Sequence, residues 1–252
     1  NGPTLPPPVS PARSVDMNGE GFGPDLQRML GFLAELLAFE HLPARTFLVS
    51  AAGLSEGHAR TYSDATGRGG LGVVLIFGQW RLWAAGTVPE WFTLRMSRDT
   101  QVKVNQYEAA GVVASDLTFA DVLVWSQVYH WLDNTSAQGA LVNGYSGKED
   151  LAQIVHVATM VELMLGLDKF LEHCVGPANP ADLPSRLLEL RGTDRWEECF
   201  GEGSGFVRVP LIFPTEEEWD DPACFLRRAT ERRRGQPVAW GGVRIDVDGE
   251  GG

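Results

Sequence analysis

The sequence predicts a mixed α/β fold, a five-stranded sheet flanked by helices around one core, and three observations lead there. Runs rich in β-branched and aromatic residues, "ARTYSDA", "LGVVLIFG" and "QWRLWAAGTV", follow one another with glycines between them, the pattern of an antiparallel meander. Two further runs of this kind, "WSQVYHWLD" and "KFLEHCV", are set apart by segments of helical character. The 252 residues, 44% hydrophobic and 21% charged, suffice for one sizeable domain with extensions.

Taken in order, residues 1–23 are rich in Pro and Gly and read as a flexible arm. Residues 24–59 hold a leading helix and its connection; "DLQRMLGFLAELLAFE" places Leu26, Met29, Leu30, Phe32, Leu33, Leu36 and Leu37 at helical spacing. The domain proper runs over 60–191. After the meander, "TQVKVNQYEAAGVVASDLTFADVL" is helical with a break near Asp116–Phe119, and "WSQVYHWLD" is the fourth strand. "NTSAQGALVNGY" is a short helix, "KEDLAQIVHVATMVELMLGL" a long apolar one, and "KFLEHCV" the fifth strand. "GPANPADLPSRLLELR" is a Pro-rich turn into a last helix. Residues 192–252 form a C-terminal extension, in which "FVRVPLIFP" reads as a strand and "TEEEWDDPACFLRRATERRRG" as a helix with acids early and arginines late. Arg227, Arg228, Arg232, Arg233 and Arg234 read as a solvated helix end more readily than as a nucleic-acid tail.

Composition narrows the function. No apolar run approaches the roughly 20 residues that span a bilayer, and no basic stretch followed by an apolar one opens the chain, so no membrane is expected among its partners. Cys174, Cys199 and Cys224 are odd in number and widely spaced, which argues against a disulfide framework and for an intracellular location, cytoplasm or nucleus. The five histidines show no metal-binding spacing, and Gly67, Gly69 and Gly70 are not followed by the Lys-Ser/Thr of a phosphate loop. A net charge of −12 opposes nonspecific capture of nucleic acid, but clustered carboxylates are what divalent cations require.

Four carboxylates stand at informative places. Asp64 lies near the end of the first strand, Asp133 at the end of the fourth, Asp182 at the start of the last helix, and Glu108 inside the helix after the meander. With strands one and four side by side, Asp64 and Asp133 become neighbours, and helices packed across that edge deliver Glu108 and Asp182. Four such groups cannot all stay ionised without a counter-charge, which two Mg²⁺ ions would supply. Taken singly, each has a plainer reading: Asp133 and Asp182 as helix caps, Asp64 as a turn former, Glu108 as a half-exposed helix residue.

"SDATGRGG", "NQYEAAG", "LDNTSAQGAL" and "NPADLPSR" occur in the order and approximate spacing of a known family. The chain resembles, over about Arg60–Arg186, the ribonuclease H (RNase H) domain of retroelement reverse transcriptase polyproteins, DIRS-like retrotransposons among them. The resemblance implies an RNase H-like fold and a metal-dependent endonuclease that hydrolyses the RNA strand of RNA–DNA hybrids. It makes Asp64, Glu108, Asp133 and Asp182 both catalytic and metal-binding, with Mg²⁺ as two ions and Mn²⁺ as substitute. By that resemblance Asp64 would bridge the ions, Asp182 would serve the water-activating side, and Glu108 and Asp133 the leaving-group side. Asn105, Asn134 and Arg68 are the substrate-binding candidates, with Asn105 placed to read 2′-hydroxyls. The implied partners are an RNA–DNA hybrid and a fused or associated reverse transcriptase polymerase domain.

The family pattern is not complete. Many ribonucleases H carry a histidine in the loop after the fifth strand; here "GPANPAD" has none, and His173 falls in the strand. Over Arg60–Arg186, nine basic residues face thirteen acidic ones, so hybrid affinity has to come from metals, a polymerase or the arginine tail. The alternative is a catalytically inactive RNase H-like module that binds a partner.

Overall fold

The computed structural model describes residues 30, 31, 34, 58–96 and 103–245. The arm and most of the leading helix lie outside the described residues. The chain divides into two compact units, Asn1–Leu42 and Pro43–Gly252, and the elements below belong to the second.

The meander forms as its composition demands. Strand β1 (Ala59–Ala65) pairs antiparallel with β2 (Gly70–Phe77), which pairs antiparallel with β3 (Trp80–Thr87). Thr66 makes the first turn: its carbonyl accepts from the Gly69 N–H at 2.9 Å and its hydroxyl from the Gly70 N–H at 2.9 Å. A short helix α1 (Glu90–Arg95) follows, and then the central helix α2 (Lys103–Thr118). Every residue of α2 from Gln106 to Leu117 is buried, as expected of a helix with no polar stripe. Its small residues let it lie close on the sheet; a Cβ on Gly111 would stand 3.3 Å from that of Ser63.

The expected break after Asp116 falls at Phe119, which caps the one-turn α3 (Ala120–Leu123). Strand β4 (Gln127–Leu132) then inserts parallel to β1. Helices α4 (Thr135–Asn143) and α5 (Glu149–Leu165) end on Gly144 and Gly166, both left-handed, and lead to β5 (Asp168–His173), parallel to β4. Between β1 and β4, His130 is fully buried. Its Nδ1 bonds the Thr61 hydroxyl and its Nε2 the Ser63 hydroxyl, each at 2.8 Å. Burial pushes its pKa well below the usual range, so it is a neutral clip between the two strands.

The last helix expected over "ADLPSRLLELR" is instead two single turns, α6 (Asp182–Ser185) and α7 (Leu187–Leu190), interrupted at Arg186 (φ −111°, ψ 31°). Helix α8 (Asp194–Phe200) follows, capped by the Thr193 hydroxyl. Its Trp196 and Phe200 pack on Trp83, with ring centroids 5.1 and 5.5 Å away, among Val74, Ala85 and Leu183. Strand alternation puts Val74, Trp83 and Ala85 on one face and Ser63, Val73 and Ala84 on the other. Thus α8 lies across the sheet from α2.

"FVRVPLIFP" is two strands rather than one, because Pro210 has no N–H to continue a ladder. Val207–Arg208 (β6) joins β3 in parallel and makes the sheet six-stranded, in the order β5-β4-β1-β2-β3-β6. Leu211–Phe213 (β7) pairs with Val243–Ile245 (β8) in a separate ribbon. The acid-to-arginine segment is likewise divided, into α9 (Glu216–Asp220), closed by a Thr215–Glu218 capping box, and α10 (Ala223–Arg233). The fold is mixed α/β, a six-stranded sheet flanked by helices.

Candidate metal centre

The parallel pairing of β1 and β4 sets Asp64 and Asp133 side by side at one end of the sheet. Glu108 reaches the same place from α2, where its Oε1 accepts from the Ala65 N–H at 3.2 Å. One ligand oxygen from each of Asp64, Glu108 and Asp133 lies within 4.8 Å of the others. Asp64 and Glu108 are buried, and Asp133 is half-buried.

The plainer readings of these residues do not describe the structure. The cap of α4 is Asn134, not Asp133: its Oδ1 accepts from the Ala137 N–H at 3.0 Å. Ala181, not Asp182, occupies the cap position of α6. Thr66, not Asp64, builds the turn. Glu108 is 2% exposed, so it is no half-exposed helix residue.

The three acids hold one another in an unfavourable state. Burial first, then the negative charges of Asp64 and Asp133, push the Glu108 carboxyl up to about 9. Burial likewise raises Asp64 to about 6, with the Ser185 hydroxyl and, more weakly, Arg186 opposing and Asp133 and Asp182 adding to the rise. Glu108 Oε2 is buried and receives no hydrogen bond among the described residues. An all-oxygen donor set with an orphaned acceptor and no internal cation suits a hard divalent ion such as Mg²⁺ or Mn²⁺. The residues present fit that group.

Asp182 stands beside this trio rather than within it. Its Oδ1 lies 2.9 Å from the Arg186 guanidinium and its Oδ2 3.9 Å from that of Arg195. The α6 turn reaches the site because β2 carries glycines beneath it. A Cβ on Gly72, which pairs with Asp64, would sit 2.3 Å from the Ser185 nitrogen and 2.5 Å from the Ala181 oxygen. Asn105 and Asn134 are joined, the Asn134 amide donating to Asn105 Oδ1 at 2.8 Å. Arg68 is almost fully exposed, with a loose 3.9 Å ion pair to Glu189.

Several residues of the site escaped the sequence reading. Ser185 donates to Asp64 Oδ2 and to the Asp182 carbonyl. Asn179 is buried, donates to the Ser63 carbonyl at 2.8 Å and accepts from the Ala181 N–H at 3.0 Å, tying the Asp182 turn to β1. "NPADLPSR" contained both, but nothing in a lone Asn or Ser tells which strand it will bond. His173, exposed at the end of β5, lies with Nε2 3.2 Å from the Asp133 carbonyl. The C-terminal arginines mostly serve their own fold. Arg227 pairs with Asp221, Arg228 with Glu218, and Arg232 and Arg233 lie over Trp240 and Trp125.

No protein-family model matches the chain, and no curated protein matches it in sequence. Among solved structures it is similar to RNase H1 from the halophilic archaeon Halobacterium salinarum NRC-1, at 21% identity over 50% of this chain and 91% of that one, with a TM-score of 0.38.

Proposed function

We propose that this chain is a metal-dependent ribonuclease H that hydrolyses the RNA strand of RNA–DNA hybrids during reverse transcription of a retroelement. The observation that carries the reading is the convergence of buried Asp64, Glu108 and half-buried Asp133, with no internal cation among them. The four ordered motifs of the sequence support the substrate and the retroelement setting, in which a reverse transcriptase polymerase domain would be the partner.

In this reading Asp64, Glu108 and Asp133 would hold Mg²⁺, with Mn²⁺ as substitute, and Asp182 would join them on the water-activating side. When bound, the divalent cations supply Lewis acidity at the phosphodiester and an attacking water of lowered pKa. The chain's own residues position and orient. Ser185 fixes the Asp64 carboxylate, while Asn179 and the β2 glycines hold the Asp182 turn against β1. Glu108 is kept in place by the Ala65 N–H. Asn105, steadied by Asn134, would offer its amide N–H to a 2′-hydroxyl, and Arg68 would meet the backbone from the rim. Hydrolysis would leave a 5′-phosphate and a 3′-hydroxyl.

The test is cleavage of a labelled RNA–DNA hybrid, with Mg²⁺ or Mn²⁺, by the chain and by Asp133→Asn. Metal-dependent cutting of the RNA strand alone, reduced at least ~100-fold by the substitution, is the expected result. The second reading, an inactive partner-binding module, is favoured by the ion pairs that hold Asp182. Absence of both cutting and stabilisation by Mn²⁺ would turn the reading towards that module.

A further inference from the structure

A strand of nucleic acid approaching Asp64, Glu108 and Asp133 meets a chain of net charge −12. Metals offset part of that repulsion, and the rest requires cations at the rim. Most described candidates are committed elsewhere. Lys169 is buried against Asp116 and Glu162, Arg95 is held by Glu216 and Asp220, and Arg228 is bound to Glu218.

Arg195 differs from these. It comes from α8, beyond the stretch that carries the family resemblance, yet it reaches back to the site. Its guanidinium has two long contacts, 3.9 Å to Asp182 Oδ2 and 3.4 Å to the Pro177 carbonyl, and its side chain is 54% exposed. Contacts of that length hold a side chain weakly. Helix stability does not account for the residue either, since a cation in the first turn opposes the helix dipole. Arg186, by contrast, sits 2.9 Å from Asp182 in an ordinary i,i+4 pair.

We propose that Arg195 is a substrate-positioning residue, whose guanidinium leaves Asp182 to bind a backbone phosphate of the hybrid beside the scissile bond. This rests on the hybrid-cleaving reading above. The exchange costs little, because the contacts given up are long, while a guanidinium–phosphate pair is charge-assisted and bidentate. It also frees Asp182 Oδ2 as the hybrid arrives, while Oδ1 keeps its Arg186 partner.

The experiment is hybrid binding in Mg²⁺ across a range of salt concentrations, in an Asp133→Asn background that leaves the hybrid uncut. Arg195→Ala, Arg195→Lys and Arg227→Ala are compared, the last being an exposed arginine paired with Asp221. Loss of one phosphate contact lowers the slope of log K against log salt by about 0.9. That drop is expected for Arg195→Ala, with Arg195→Lys and Arg227→Ala keeping the parent slope. An unchanged slope in Arg195→Ala overturns the proposal, and a shifted Mn²⁺ affinity alongside it would make Arg195 a latch on Asp182. If wild-type protein cuts hybrid with Mg²⁺ yet the slopes agree, only this inference fails. If wild-type protein neither cuts nor binds hybrid, the ribonuclease reading fails and takes the inference with it.

Discussion

Helix α2 carries two buried acids little more than two turns apart, and they have opposite surroundings. Asp116 is fully buried against Lys169, itself fully buried, and Lys169 also lies 3.2 Å from Glu162. Burial raises Asp116 to about 6, with Lys169 opposing; burial works to lower Lys169, but the two acids carry it up, so the cluster stays charged and paired. Glu108 has Asp64 and Asp133 for neighbours, and its carboxyl is carried to about 9. One cluster contains its cation; the other gathers three carboxyl groups with no ion pair to them among the described residues, Arg186 acting on Asp64 from its pair with Asp182. The fold can therefore compensate a buried carboxylate on this helix, and where it does not, the carboxyl either keeps its proton or takes a cation from outside the chain. The comparison favours a cation site over an accident of packing at Asp64, Glu108 and Asp133.

The comparison breaks most readily at Lys169. Lys169→Met leaves Asp116 buried without its cation, and we expect a loss of about 3–5 kcal/mol in urea unfolding at pH 8. Glu108→Gln has the opposite sign, because it removes one of three mutually repelling acids. If both substitutions destabilise alike without metal, the two clusters are not different in kind.

The pH dependence sharpens the same point. The folded-state pKa of Glu108 lies above its ordinary value near 4.5, so the folded protein binds that proton more tightly than the unfolded chain does. The stability this contributes is fully present below about 4.5, declines as pH rises, and is gone above about 9. Asp64 acts in the same direction between 3.8 and about 6. Metal-free wild-type protein should therefore lose stability relative to Glu108→Gln from pH 5 to 9, by a few kcal/mol at most. Parallel pH curves for the two proteins would remove the electrostatic argument.

Added metal should reverse the penalty. Mn²⁺ at a hundred times its dissociation constant stabilises a folded protein by about 2.7 kcal/mol. We expect a gain of that order in wild-type protein near pH 8 and none in Glu108→Gln, read by thermal or urea unfolding. The smallest effect is at Ser185, which orients Asp64 without belonging to the trio. Ser185→Ala should cost about 1 kcal/mol in stability and weaken Mn²⁺ binding roughly 10- to 100-fold. Unchanged Mn²⁺ affinity would show that the hydroxyl serves only packing.

Local pattern determined a good deal of this protein. Alternating β-branched and aromatic residues around glycines place β1 to β3, the bounds of β1 agree with "ARTYSDA", and Asp64 and Asp133 are legible as acids at strand ends. These features depend on residues close in sequence, so periodicity and turn chemistry reveal them. Of the pairings between distant residues, the meeting of Asp64, Glu108 and Asp133 was legible, and others were not. Lys169 is one basic residue among nine in the sequence count, yet tertiary packing buries its side chain on Asp116. The segment after Gly192 looks loose, yet Trp196 and Phe200 close over Trp83, and Arg195 arrives beside Asp182. Asp182 reads as the fourth carboxylate of the site, and the structure adds what the sequence did not show, the Arg186 and Arg195 guanidinium groups beside it. Sequence by itself determined which acids stood at the ends of elements; only the tertiary structure decided which of them would be given a counter-charge, because burial and charge pairing depend on neighbours far along the chain.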